Sequence, residues 1–536
     1  MHQVAEFKLV TDEPISNAID NAMEKARKIE NRAKGIVNNL IKTMECDIEY
    51  LCALADLRMS KTPEDKQNAT ERLNIIRQDV YGLTPYGIEK RLKDIKHKEF
   101  ADSIDADIVA KLSVRIYQSV KKRIFEHCDI HFLKYGEFNT LETKANKCGI
   151  LFKPNEQVVI FNTHKKQVRK KKVKNKDGLY KTSNKKKKTV KYEIPIKIRE
   201  NDTFNKELLK HKICYCRIVR KPGKNKYEYY LQVVVDVKDK PVLKLPKQQK
   251  GTVGIDLGPS SVAVVSKNDA ILESLAPQAD KCNKDIIRLS RQLERLRRLN
   301  NPQNYNEDGT VKTPPKGEKL YWYRSKHYIR VLFQFKNACR RKSAITKQSL
   351  NVLANKIISM GQRFFIEELD IKSWQKKSTK PPAPSTKLIQ VLNKRTGELV
   401  WINKYVRKKR FGKSINNHSP GLLIQLIKQK LSYYGQMLEY VNTIKYKASQ
   451  YDHTTGEYIK PNLKDRTKTV GNHKVQRDLY SAFLIKNNKD SETVNQLKCN
   501  KEFNNFLNLN NIIMNNLKVR YQQGEIFPSC MAVNEF

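Results

Sequence analysis

The stretch "GTVGIDLGPSSVAVVS", residues 251–266, places one acidic side chain, Asp256, inside an apolar run rich in β-branched residues. Such a run predicts a buried β-strand, and "AILESL" follows at the spacing of a further hairpin-linked strand. An unpaired carboxylate in a strand interior costs several kcal/mol unless it meets an opposite charge or binds a cation. Asp256 therefore needs a partner, and a metal ion is one candidate.

Three interpretations of Asp256 compete. It could be a structural aspartate paired with an arginine, part of the nucleotide-binding strand of actin-like and sugar-kinase ATPases, or a ligand in a divalent-metal nuclease of the RNase H class. The ATPases close on their nucleotide through glycine-rich turns, whereas this chain has 20 glycines and none is adjacent to another. The P-loop lookalike "FGKS", residues 411–414, lacks the upstream glycine because Arg407 occupies that position.

The nuclease interpretation requires further carboxylates from distant parts of the chain. "QRFFIEELDI" predicts a buried strand that ends in Glu367, with Glu367 and Leu369 on one face. "NHKVQRDLYSAFLI" predicts a helix with Asp478 in its first turn, where the small residues Ser481 and Ala482 allow close approach to a sheet. Each fragment alone is weak, but the three in this order favour a shared site.

The overall composition indicates a polyanionic partner. The 536 residues contain 105 lysines and arginines against 56 acidic residues, a formal net charge of +49. An excess spread along most of the chain favours nucleic acid over a membrane surface or an acidic protein. We find no apolar stretch of eighteen residues and no C-x-x-C motif, so we expect a cytoplasmic protein whose ten cysteines are reduced.

The pattern of apolar and polar residues changes along the chain, and these changes predict several domains. Helical periodicity dominates the first part, strand-like segments the second, and a mixed pattern the third. The predicted segments are a first strand (1–13), a helical domain (14–148), a β-barrel domain (149–250) with a basic insertion (164–191), a mixed α/β domain (251–485) containing an arginine-rich helical pair (283–360), and a C-terminal helical tail (486–536), to which we assign no site.

Two basic regions are candidates for nucleic-acid binding. The insertion could be a solvated loop or a phosphate-binding arm, and both descriptions hold if the loop orders on binding. The helical pair has exposed faces that are mostly arginine and lysine. The candidate contacts are Lys170, Lys171 and Lys172 in the insertion and Arg295, Arg297, Arg298, Arg340 and Arg341 in the pair.

The motifs "GIDLG", "FIEEL" and "VQRDLYSAFL", with the arginine-rich helices between the first two, resemble the TnpB (OrfB) family of insertion-sequence proteins, which are related to type V CRISPR effectors. The resemblance covers residues 251–485 best. It implies that this segment is the nuclease domain, that 14–148 is a recognition domain, and that 149–250 is a wedge-like β-barrel domain whose first strand is 1–13. It implies a multidomain α+β protein with an RNase H-like (RuvC) nuclease domain that cuts DNA selected by pairing with a guide RNA. By motif, Asp256, Glu367 and Asp478 match the three catalytic carboxylates of that family.

The chain departs from the family pattern in two places. The final motif usually reads R-D-x-N-A-A, and here Tyr480 stands in place of the asparagine. A zinc ribbon usually precedes it, and the matching region is residues 449–477, where Asp452 and Thr455 in "SQYDHTTG" occupy the cysteine positions. Because threonine is a poor zinc ligand, we predict no structural zinc there.

Clustered carboxylates suit hard cations, so the resemblance and the residues together predict two Mg²⁺ ions, or Mn²⁺, held by Asp256, Glu367 and Asp478. The expected partners are a guide RNA and a target DNA. An alternative is a nucleic-acid-binding protein of the same lineage that occupies DNA without cutting it, as a repressor or transposition accessory.

Overall fold

The chain forms a mixed α/β structure in the computed structural model, with two units, Met1–Leu243 and Lys244–Phe536. All ten cysteines lie in the described part of the chain, and none of them forms a disulfide. The described residues are 2–100, 104–165, 173–174, 180–181, 188–238, 241–242, 245–315, 317–375, 383–392, 398–406, 411–462 and 465–533.

The first unit begins with one strand and then a run of helices. The long first helix starts at Asp12, whose carboxylate accepts the Ile15 N–H at 2.8 Å, and its apolar residues recur every three or four positions and are buried. The elements are β1 (His2–Lys8), α1 (Glu13–Glu45), α2 (Ile48–Met59), α3 (Pro63–Ile75), a π-helical turn (Ile76–Val80), α4 (Pro85–Glu99) and α5 (Ala106–Phe125).

The rest of the first unit is mostly strand. One antiparallel sheet has the order β1–β9–β8–β2 and a second has the order β3–β4–β7, and an isolated bridge joins Leu9 to Ile196. Closure of these sheets into a barrel stays a prediction. The elements are β2 (Thr140–Glu142), β3 (Ile150–Lys153), β4 (Val158–Lys165), β5 (Val173–Lys174), β6 (Tyr180–Lys181), β7 (Lys188–Pro195), α6 (Thr203–Leu208), β8 (Lys212–Pro222) and β9 (Tyr227–Asp236).

The second unit is built on a five-stranded sheet of order β12–β11–β10–β13–β16. The first three strands in sequence form an antiparallel meander, and β13 and β16 then add in parallel beside β10. The strands are β10 (Thr252–Leu257), β11 (Ser261–Val265), β12 (Ala270–Ser274), β13 (Arg363–Glu367) and β16 (Leu438–Val441).

The second unit also contains helices and two hairpins. The predicted arginine-rich pair is present as α7 and α8. The remaining elements are α7 (Pro277–Asn300), a 3₁₀ turn (Pro302–Asn304), α8 (Lys326–Ser359), α9 (Ile371–Gln375), β14 (Ala383–Leu392), β15 (Leu399–Val406), α10 (Gly412–His418), α11 (Pro420–Ser432), α12 (Thr443–Tyr446), β17 (Thr467–Val470), β18 (His473–Gln476), α13 (Arg477–Lys486), α14 (Gln496–Gln522) and a 3₁₀ turn (Ser529–Met531).

The two faces of the sheet belong to different cores. Val253, Ile255 and Leu257 of β10 pack into a core with α8 and α11, whereas Phe365 of β13 packs into a core with α13 and α14. Because strand side chains alternate, Asp256 faces away from the first core and toward α13. The alternation of side chains along β10 therefore decides which face of the sheet carries Asp256.

Candidate active site

Two of the predicted carboxylates lie at the ends of neighbouring parallel strands. Register places Ile255 of β10 beside Ile366 of β13, and Asp256 and Glu367 are the next residues along each strand. Neighbouring strands lie about 4.8 Å apart, and both chains run in the same direction. The two acids therefore lie side by side on the sheet, as the period-two pattern predicts.

The third carboxylate comes from the helix that packs on β10. Gln476 caps α13, because its side-chain oxygen accepts the Leu479 N–H at 2.7 Å, and this fixes Asp478 in the first turn. The helix backbone comes very close to the strand, since a Cβ added at Gly254 would lie 2.1 Å from the Ala482 carbonyl oxygen. Glycine at this position thus permits the contact that brings Asp478 to the sheet.

The three acids line one cavity of about 460 Å³. Arg466 and Arg477 line it as well, and the Arg477 guanidinium donates to the Asp478 carboxylate at 3.4 Å. In the described residues Arg466 has no ion-pair or hydrogen-bond partner for its side chain. The cavity therefore combines carboxylates that suit a cation with guanidinium groups that suit a phosphate.

The carboxylates perturb one another. Burial raises the pKa of Asp256 well above its usual range, and the negative charges of Asp478 and Glu367 raise it further, while Arg477 and a hydrogen bond from Ser481 partly oppose the shift. Burial raises the pKa of Glu367 to about 7. Burial also raises the pKa of Asp478, against the lowering effect of Arg477 and Arg466. Like charges held together in a cleft are typical of a functional site.

The donor set fits a divalent cation. Three carboxylates offer only hard oxygen ligands, and a cation between them would relieve both their repulsion and the cost of their burial. In the part of the chain that the structure describes, no three acidic, histidine or cysteine side chains are already arranged as a metal-binding group. The Mg²⁺ site therefore stays a prediction, supported by the shared cavity and the raised pKa values.

The region that matches a zinc ribbon forms a turn held by hydrogen bonds. The Gly456 N–H donates to the Asp452 carbonyl at 2.8 Å, and the Asp452 carboxylate accepts from the Thr454 hydroxyl at 2.7 Å. His453 is buried, and its Nδ1 lies 2.7 Å from the Tyr480 hydroxyl, which also accepts the His453 N–H at 3.1 Å. The two departures from the family motif, at the ribbon and at Tyr480, are thus in direct contact.

The predicted arginines of the helical pair differ in their surroundings. The Arg297 guanidinium lies 3.9 Å from the centre of the Trp322 ring, and that of Arg298 pairs with Glu294 at 3.1 Å. Arg295 and Arg341 are exposed, and the Arg340 guanidinium donates to Asn337 at 3.0 Å. Lys170, Lys171 and Lys172 lie outside the described residues.

One face of α7 carries a basic stripe that the sequence analysis named only in part. Its residues recur at helical spacings of four and three, all are exposed, and they are followed by Arg298 on the same face. Lys284, Arg291 and Arg295 have no acidic partner among the described residues, whereas Arg288 lies 3.4 Å from Asp285. We define the basic stripe as Lys284, Arg288, Arg291 and Arg295.

Sequence reasoning missed several residues of the cavity wall. The 3₁₀ turn after α14 brings Ser529 and Cys530 into it, with the Cys530 carbonyl accepting from the Gln476 side chain at 3.1 Å. Trp374 and Phe411, from opposite ends of the segment that contains β14 and β15, also line it. Arg466 had a weak signal, because it lies a short distance before "RDL", but nothing in a single sequence predicts that the tail returns to the site.

No protein-family model matches this chain, and no curated protein matches it. Solved structures do match. A Cas12f1–sgRNA–target DNA complex is 13% identical over 90% of this chain and 98% of that chain, with a TM-score of 0.44. The mini-RNA-guided endonuclease CRISPR-Cas_phi3 is 10% identical over 94% and 92%, with a TM-score of 0.28. An AacC2c1–sgRNA–extended non-target DNA complex is 10% identical over 84% and 69%, with a TM-score of 0.24.

A bilayer-crossing helix, which needs length and continuous apolar character, does not occur in the described ranges.

Proposed function

We propose that this chain is an RNA-guided DNA endonuclease with an RNase H-like (RuvC) nuclease domain that depends on divalent metal. The observation that carries the nuclease part is the convergence of Asp256, Glu367 and Asp478, from segments more than 100 residues apart, on one cavity. The sheet order, an antiparallel meander followed by two parallel strands, supports the RNase H-like assignment. The RNA-guided part rests on the motif resemblance and the +49 charge.

The acidic and basic residues of the cavity would have different roles in phosphodiester hydrolysis. Asp256, Glu367 and Asp478 would hold two Mg²⁺ ions, which when bound supply an activated water and stabilise the leaving oxygen. Arg466 and Arg477 would orient the phosphate through their fork of N–H donors. The negative charges of both Asp478 and Glu367 act on Asp256, so Asp256 would hold metal together with each of them.

The basic stripe of α7 would contact the sugar-phosphate backbone of bound nucleic acid. From Lys284 to Arg295 it extends over roughly 16 Å at 1.5 Å per residue, enough for several successive phosphates. Contacts of this kind position a nucleic acid without reading its sequence, which suits a protein whose target is chosen by base pairing.

The proposal is tested with RNA that copurifies with the full-length protein. That RNA is sequenced, a plasmid carrying the complementary target is supplied with Mg²⁺, and wild type is compared with Asp256→Ala. Guide-dependent cleavage by wild type alone is expected. Guide-dependent retention of the plasmid without cleavage by either protein would overturn the nuclease assignment and support the DNA-binding alternative.

The stripe is tested by the salt dependence of binding. Replacing both Arg291 and Arg295 by alanine should weaken the binding of nucleic acid. The slope of the logarithm of the association constant against the logarithm of the salt concentration should become about 2 less steep, because each lost phosphate contact lowers its magnitude by about 1. Arg363→Ala is the matched control, since its guanidinium is already paired with Glu439 at 2.6 Å. An unchanged slope in the double variant would exclude the stripe from the interface.

A further inference from the structure

Two aromatic side chains line the carboxylate cavity. Trp374 belongs to α9, which begins four residues after Glu367, and Phe411 immediately precedes α10. Phe411 is 47% exposed and Trp374 is partly exposed. Flat apolar rings thus share a cavity with three carboxylates and two guanidinium groups.

Neither ring has a partner in the described part of the chain. Among the residues that the structure describes, no other ring or cation contacts Trp374 or Phe411, and none accepts a hydrogen bond from the Trp374 indole N–H. Trp322 of the same unit, in contrast, has partners for its ring. The Tyr305 ring packs edge-on against it with the ring centres 5.8 Å apart, and the Arg297 guanidinium lies over its face. Tryptophan usually buries its ring and satisfies its N–H, so an unpartnered one in a cleft indicates a ligand.

Both rings are on anchored backbone. The chain after Glu367 is fixed because the Glu368 N–H donates to the Val441 carbonyl at 3.1 Å and the Thr443 hydroxyl donates to the Glu368 carbonyl at 2.7 Å. On the other side, the Ser414 hydroxyl donates to the Pro259 carbonyl at 3.2 Å and the next residue of α10 is buried. The two segments hold their rings at the edge of the site.

We propose that Trp374 and Phe411 form a stacking subsite for an unpaired nucleobase of the strand whose phosphate lies at the carboxylates. This inference rests on the proposed function. A phosphate held by Arg466 and Arg477 brings its attached nucleoside to the cavity wall, where the rings supply apolar faces of the kind on which bases stack. Bases inside a duplex already stack on both faces, so only an unpaired nucleotide can use these rings.

In this subsite the rings of Trp374 and Phe411 would position the substrate. Loss of one stacking contact weakens binding about tenfold. We therefore expect Trp374→Ala and Phe411→Ala each to raise KM for the guide-complementary target about tenfold with a smaller change in kcat. Trp374→Phe keeps a ring and should restore most of the affinity.

The first experiment measures stacking directly and needs no cleavage. Single-stranded DNA carrying 2-aminopurine at successive positions is bound to the full-length Asp256→Asn protein, and its fluorescence is recorded. Quenching is expected at one or two positions, and it should be lost when Trp374→Ala or Phe411→Ala is added. Equal quenching with and without the rings would overturn the subsite.

The second experiment compares cleavage of the guide-complementary target by the same ring variants in the wild-type background. Trp401→Ala is the matched control, because Trp401 is 60% exposed and does not line the cavity. If Trp401→Ala impaired cleavage as much as Trp374→Ala, a specific subsite would be excluded. A wild type that leaves the target intact refutes the nuclease proposal, whereas the fluorescence result still decides the subsite.

Thermal unfolding of each variant separates a lost contact from a lost fold. Both rings are partly exposed, so their removal should leave the unfolding temperature within a few degrees of wild type. A variant that binds less while unfolding at the wild-type temperature, and that regains binding with Trp374→Phe, supports the inference. Equal KM values for wild type and both alanine variants contradict it.

Discussion

The carboxylate cavity and the ribbon turn (Ser449–Tyr458) both contact α13, and both contain polar groups. Those of the ribbon turn pair with one another, whereas the cavity holds three acids of like charge. In the turn, Asp452 accepts hydrogen bonds from Thr454, and His453 and Tyr480 satisfy each other. In the cavity, Asp256 and Glu367 are half-buried beside Asp478, and their pKa values are raised.

The difference separates a structural polar cluster from a functional one. Enclosed polar groups that satisfy one another stabilise a fold and need nothing further. Enclosed groups of like charge destabilise the fold and persist where a ligand or a reaction requires them. The cation at Asp256 and the absence of zinc from the ribbon turn both stay predictions, and the experiments below test them.

The largest effect is expected from removing one charge of the cavity. Asp256→Asn keeps the size of the side chain but removes the central metal ligand, so guide-dependent cleavage should fall by at least about a thousandfold. The free energy of unfolding should rise by about 1 kcal/mol or more without added metal, because the substitution removes an enclosed like charge. Single-turnover cleavage and denaturant unfolding measure the two quantities.

Glu368→Gln is the control for this prediction, since Glu368 directly follows Glu367 at the end of β13 but does not line the cavity. It should change cleavage and stability little. A large loss of stability in Asp256→Asn would show that Asp256 is a structural residue, and the contrast between the two regions would disappear.

The next largest effect is expected on the free energy of unfolding when the contact between His453 and Tyr480 is removed. Tyr480→Asn restores the usual asparagine of the family but leaves a void in the aromatic cluster of Phe483 and Phe506 and removes the partner of His453. We expect a loss of about 3 kcal/mol in unfolding free energy. Tyr480→Phe, which removes only the hydroxyl, should lose about 1 kcal/mol.

Cleavage per folded molecule tests whether this cluster is purely structural. Measured well below the unfolding temperature, Tyr480→Phe should cleave within a few fold of wild type. A loss as large as that of Asp256→Asn would mean that the cluster positions Asp478, and the separation of the two regions would then be wrong.

Local pattern predicted the strands and the three acids that line the cavity, but not the other residues of its wall. Asp256 stood out because a carboxylate interrupts an apolar run, and Glu367 and Asp478 because each marks a strand or helix end. The period of the side chains then fixed the face of the sheet. Trp374, Phe411 and Cys530 reach the cavity through long-range packing, and aromatic or tail residues have no local pattern that separates such a role from ordinary burial.

A smaller effect is expected from metals. Mg²⁺ at about 100 times its dissociation constant should stabilise the second unit by roughly 2.7 kcal/mol if it binds only the folded site, and this gain should vanish in Asp256→Asn. A zinc-selective chelator should leave the unfolding temperature unchanged. Thermal unfolding with each additive measures both, and stoichiometric zinc in the purified protein by elemental analysis would contradict the prediction for the ribbon turn.

The smallest effect is expected from acidification of the ribbon turn. Burial lowers the pKa of His453 below its ordinary value of 6.5, opposed by the nearby Asp452. The unfolded chain therefore binds a proton at His453 before the folded chain does, so stability is complete above pH 6.5 and is lost as the pH falls below it, by at most about 1.4 kcal/mol per pH unit. Unfolding of wild type and His453→Gln between pH 7.5 and 5.5 isolates this contribution, since all other groups are shared. If the free energy of unfolding of the two proteins changed in parallel with pH, His453 would not be held neutral in the folded chain. The polar groups of the ribbon turn would then not satisfy one another, and the contrast with the cavity would be wrong.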